Sequence, residues 1–147
     1  MNREILFRGF HEDKNEKETI CLDGKQIKGE WVQGDLWCNP YGKRAICIVS
    51  PINNQGTTGG NECIEETISQ YTGLTDKNGK KIFEGDIVNF KTTAYHFKNC
   101  RIKYQSCHAR YCAIDNKGYE YPMDKTFEYE IIGNIFSNPE LLRSEDK

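Results

Sequence analysis

Seven cysteines and three histidines are the residues of this 147-residue chain with the most direct access to chemistry. His96, Cys100, Cys107, His108 and Cys112 crowd into one short stretch and offer the thiolate and imidazole donors of a tetrahedral zinc site. No Cys-x-x-Cys pair occurs anywhere in the sequence, although that spacing closes most zinc knuckles. Buried or idle thiols are therefore the favoured reading, with no metal and no cofactor expected. Cys107 beside His108 would make a nucleophilic pair only if both side chains converged, and neighbours on a strand diverge.

The carboxylates give little more. Glu84 and Asp86 share a face if the backbone there is extended, as do Glu128 and Glu130. Acid–base work needs such a pair in a cleft that separates their pKa values. Glu84-Gly85-Asp86 reads more simply as a turn into a strand, with Asp86 bonding local backbone amides. There is no Gly-x-Ser-x-Gly elbow and no phosphate-binding glycine loop. No catalytic residue is assigned, and the reading leans away from an enzyme.

Binding residues are the alternative. Trp37 is a candidate aromatic anchor for a protein partner, whereas Trp31 is assigned to the core. Lys98, Arg101, Lys103, Tyr104, Arg110 and Tyr111 form a basic stretch interleaved with aromatics, the pattern of a small β-barrel that stacks nucleic-acid bases. Arg101 and Lys103 are expected on a solvent face, with Cys100, Ile102 and Tyr104 inward. A net charge of −2 works against nucleic acid as the main partner.

The elements that must position these residues are strands. Ile, Val, Thr and the aromatics far outnumber Leu, Ala and Met, and no segment carries a sustained helical stripe. The expected class is a mainly β, compact antiparallel barrel-like domain with a short C-terminal helical turn. Strands are expected near residues 4–10, 19–22, 30–38, 44–50, 64–71, 86–91, 99–104, 110–114 and 128–135. Asp23-Gly24, Asn78-Gly79 and Lys117-Gly118 mark tight turns. Asn138 followed by Pro139 and Glu140 predicts a helix of about two turns. A chain of this length suits one domain, with a sub-lobe break at the polar loop 53–60. Cys47, in the apolar run 45–49, reads as a small buried hydrophobe. The charged opening residues lack the apolar core of a secretory signal, so a cytoplasmic setting with free thiols is expected, and no apolar run is long enough for a membrane helix.

The most distinctive segment is Gln70-Tyr71-Thr72-Gly73-Leu74-Thr75-Asp76-Lys77-Asn78-Gly79-Lys80-Lys81-Ile82-Phe83-Glu84-Gly85-Asp86-Ile87-Val88. It closely resembles the signature of the YopX family, small proteins encoded by phages and prophages of bacteria. Residues 3–10, 29–36 and 130–142 resemble the family's opening strand, second block and closing strand with its terminal turn. The resemblance implies a mainly β fold, a phage or prophage origin and a cytoplasmic location. It brings no established activity, and the cysteines are not part of the shared motif.

Read physically, the motif is a hairpin around Asn78-Gly79, with Leu74, Ile82 and Val88 supplying core contacts and Asp76 closing an Asx-type turn. Tyr71, Asp76, Glu84 and Asp86 are also its candidate binding residues. The expected function is a non-enzymatic binding module acting on a host or phage protein. A nucleic-acid binder using Lys98, Arg101, Lys103 and Arg110 is the alternative, and a small-ligand binder or enzyme is the third. Exposed strand edges leave a homo-oligomer open.

Overall fold

A computed structural model describes residues 4–38, 47–50 and 61–143. The described chain is mainly β, in two antiparallel sheets of which one is a half-barrel, and its helical content is confined to 3-10 turns. It divides into two compact units, Met1–Tyr71 and Thr72–Lys147. The expected break at 53–60 lies outside the described residues.

The first unit contains β1 (Phe7–Glu12), β2 (Glu18–Leu22), β3 (Lys25–Cys38), β4 (Cys47–Ser50), β5 (Asn61–Glu62) and the start of β6 (Ser69–Thr75). Their order is β5-β4-β3-β1-β6, with β2 also paired to β3. Strand β3 organises the unit, because its 14 residues pair in turn with β2, β1 and β4. The hairpin into it turns at Asp23 and Gly24, both left-handed at φ 50° and 77°, which matches the twist of the flanking strands. Phe10 and Ile20 are fully buried, and Trp31 meets Phe10 edge-on at 5.2 Å under the guanidinium of Arg8. Trp31 is half-buried rather than fully enclosed.

The strand expected over 64–71 is broken by a 3-10 turn at Glu65–Thr67. Thr67 causes the break: its buried hydroxyl donates to the Ile64 carbonyl at 2.6 Å and accepts the Phe10 N–H at 3.0 Å. A β-branched residue that reads as strand material is thus used to fold the chain back locally.

The second unit contains β7 (Lys81–Phe83), β8 (Asp86–Lys91), β9 (His96–Gln105), β10 (Arg110–Ile114), β11 (Glu120–Pro122) and β12 (Glu128–Asn134). Strand β6 runs into this unit and pairs there with β7. The others form a sheet in the order β11-β10-β9-β8-β12. Ile82, Val88, Phe90, Cys100, Ile102, Ala113 and Tyr129 make one core cluster, with Leu74 packed against it. Ile87, Cys112 and Ile114 are also buried, and cross-strand pairing of Ile87 and Ile114 with Arg101 puts them on the sheet's other face. The C-terminal segment makes one 3-10 turn, Pro139–Leu142, in place of a two-turn helix. Asn138 does not cap it: its Oδ1 accepts the N–H of Asn134 instead. No helix among the described residues is long and apolar enough to cross a membrane.

Candidate functional site

The three carboxylates of the central motif each accept backbone amides. Asp76 follows β6 and is only 6 % exposed. Its Oδ1 accepts the N–H groups of Asn78 and Lys80 at 2.9 Å each, and its Oδ2 accepts that of Ile131 at 3.3 Å. Burial alone would raise this carboxyl's pKa. The three backbone donors and the nearby Lys80 charge overturn that and hold it below the ordinary value. Asp86, 1 % exposed, accepts the Phe83 N–H at 2.8 Å, and Glu84 accepts the Tyr104 N–H at 3.0 Å. Both carboxylates are engaged by backbone amides. Tyr71 is buried at the end of the first unit, and its N–H donates to the Leu6 carbonyl. Trp37 pairs with Ile48 through its backbone, and its side chain, like that of Cys47, lies outside the described residues.

The basic stretch divides by strand alternation. Tyr104 opposes Tyr111, and their rings meet edge-to-face at 5.1 Å. Arg110 opposes Gln105, and Lys103 opposes Cys112, so these cations and Arg101 project from the opposite face to the tyrosines. Tyr104 is 41 % exposed rather than inward, and Arg101 shares its face with buried Ile87 and Ile114 rather than with solvent alone. Lys98 lines a 200 Å³ cavity with Lys77, Lys91, Glu128 and Glu130, where Lys77–Glu130 and Lys91–Glu128 form ion pairs at 3.1 and 3.0 Å.

The cysteines are dispersed. Cys100 opposes Val88 in the core and Cys112 opposes Lys103, so the two buried thiols point to opposite faces. Cys107 and His108 are exposed in the turn between β9 and β10, not on a strand. Among the described residues no group of three or more His, Cys, Asp or Glu side chains is placed to hold a metal ion.

An aromatic pocket of about 260 Å³ in the second unit has no counterpart among the residues that sequence reasoning singles out. Phe90, Tyr95, Phe97, Tyr121, Met123 and Phe127 line it, together with Thr92, Pro122 and Asp124. Phe90 and Phe97 stack at 4.6 Å and 18°, Tyr121 leans on Phe97 at 4.5 Å, and Phe127 lies nearly parallel to Phe90 at 6.0 Å. The turn carrying Tyr95 is tied by the Thr92 hydroxyl, which accepts the N–H groups of Ala94 and Tyr95. Tyr95 itself is 68 % exposed at the rim. On the other wall, Asp124 Oδ1 accepts the N–H and hydroxyl of Thr126 at 2.8 Å, while the Asp124 N–H donates to the Tyr129 hydroxyl. The aromatic positions are visible in the sequence, but their convergence depends on pairing between β8 and β9 and on the short edge strand β11.

The family profile described as YopX protein matches residues 6–143. The chain belongs to the YopX family. The match takes in every element of this YopX fold described above, from β1 to the terminal 3-10 turn. Among solved structures the chain is similar to protein EF1440 from Enterococcus faecalis, at 22 % identity and a TM-score of 0.46, over 97 % of this chain and 100 % of that one. No curated protein matches the sequence.

Proposed function

We propose that this YopX-family chain is a non-enzymatic accessory protein of a phage or prophage. It acts in the bacterial cytoplasm by binding a host or phage protein, and it receives one side chain of that partner in the aromatic pocket of the second unit. The observation that carries this reading is the pocket itself: five aromatic rings and a methionine converge on a solvent-open cavity of side-chain size. Aromatic-lined concavities with a few polar groups are the usual form of a binding site, and buried aromatic contacts dominate interface energies. The motif carboxylates fit the same reading, since Asp76, Glu84 and Asp86 all accept backbone amides and serve the fold.

The test is a tagged pull-down from bacterial lysate, with and without nuclease, run in parallel on wild type and Tyr95→Ala. One stoichiometric protein that survives nuclease and is lost with Tyr95→Ala supports the proposal. A partner held equally by both forms moves the interface elsewhere. Capture that collapses with nuclease transfers the function to nucleic acid.

A further inference from the structure

We infer that the group received by this pocket is a cation: the guanidinium of an arginine on the partner protein, held over the aromatic rings beside Asp124. The inference rests on the binding reading above and specifies its chemistry. The lining contains one charged side chain, Asp124, and neither lysine nor arginine. The remaining lining residues are aromatic, apolar or, for Thr92, neutral polar, and aromatic faces attract cations through their quadrupole. A purely apolar occupant would leave the Asp124 carboxylate on the pocket wall without a partner. A guanidinium satisfies both walls, because it is planar, stacks on rings and donates to a carboxylate.

Local chemistry agrees. Thr126 occupies Asp124 Oδ1 through two hydrogen bonds, and these hold the carboxyl below its ordinary pKa, so it is anionic at neutral pH. Oδ2 makes no hydrogen bond among the described residues and is available to a donor. The Tyr121 hydroxyl donates to Asp115 Oδ2 at 3.1 Å. That bond occupies the hydroxyl proton and adds electron density to the ring. Two cations stand nearby: Lys125, next in sequence, whose charge also lowers the pKa of the Asp124 carboxyl, and Lys91, engaged by Glu128 at 3.0 Å; neither lines this pocket.

The test is a titration of the full chain, followed through backbone amides and the Met123 methyl by NMR. The probes are the N-acetyl methylamides of arginine, of its neutral isostere citrulline, and of phenylalanine. The arginine probe is expected to shift Met123 and the amides of Tyr95, Phe97 and Asp124, binding about threefold or more tightly than citrulline. Asp124→Asn, which keeps the Oδ1 acceptor for Thr126, should weaken arginine more than citrulline and narrow the ratio between them, the rest being held by the rings. If citrulline or phenylalanine binds the pocket as well as arginine does, the cation inference fails and the docking reading stands. If no probe shifts the pocket residues, both fail.

Discussion

Asp76 Oδ2 accepts the backbone N–H of Ile131, 55 residues along the chain, at 3.3 Å. Next to it the Lys77 N–H donates to the Tyr129 carbonyl at 2.8 Å. Tyr129 and Ile131 lie on β12, the outermost strand of its sheet, and these two groups face away from β8. One carboxylate therefore closes its own turn and covers part of an edge that would otherwise invite another strand. The central motif encodes this geometry.

Asp76→Ala should destabilise the chain by about 2–3 kcal/mol, since three amides lose an anionic acceptor. Asp76→Asn should cost less, about 1–2 kcal/mol, because one oxygen remains. Urea unfolding measures both. The native carboxyl titrates below the ordinary value, so its stabilisation is complete at neutral pH and is lost as pH falls below the ordinary carboxylate range, through the native pKa. The gap between wild type and Asp76→Asn should be constant from about pH 6 to 8 and shrink below about pH 4. A gap that widens on acidification would contradict the assignment.

At Gly29 strand β3 runs tight against β1. A Cβ there would stand 2.0 Å from the His11 carbonyl oxygen and 2.7 Å from the Phe10 ring. Gly29→Ala should lower stability by about 2–3 kcal/mol, because the obstacle is backbone and cannot rotate away. A melting temperature within a degree or so of wild type would refute this close approach.

Thiol reactivity should separate by burial. Burial, with the Asp115 charge adding to it, pushes the Cys100 thiol up to about 12. Among the five described thiols, alkylation at about pH 8 and peptide mapping should find Cys21 and Cys107 modified in the native chain, and Cys63, Cys100 and Cys112 only after unfolding. Rapid native labelling of Cys100 would contradict its place in the core.

The pocket has a floor and a rim with different energetics. Phe90 is 4 % exposed and touches four other rings, so Phe90→Ala should cost about 3–5 kcal/mol. Tyr95→Ala, at an exposed rim position, should fall within about 0.5 kcal/mol of wild type. Chemical denaturation of the two variants checks the ordering.

Much of this fold is legible in the sequence. Strand β10 at Arg110–Ile114 and strand β8 at Asp86–Lys91 lie where the β-favouring runs between turn signals put them. The Asn78-Gly79 hairpin and the core roles of Ile82 and Val88 also follow from local chemistry. Two features are not legible, because their causes are distant in sequence or lie in a competing bond. Thr67 breaks its strand by bonding the amide of Phe10, 57 residues earlier, and Asn138 serves Asn134 instead of capping the last turn. The pocket is hidden by the same kind of distance: Phe97 and Tyr121 are neighbours only through the β9–β10–β11 pairing. Strand β11, three residues ending in proline, carries almost no signal of its own.

The central claim is that the pocket is where a partner docks, and site-specific photo-crosslinking tests it most directly. A benzophenone amino acid placed at Tyr95, on the rim, is compared with one at Tyr119, which is similarly exposed at 64 % but does not line the pocket. Irradiation of bacteria producing each form should give a discrete adduct with one protein from position 95 and none from position 119. Equal adducts from both positions, or none from position 95, would contradict the account.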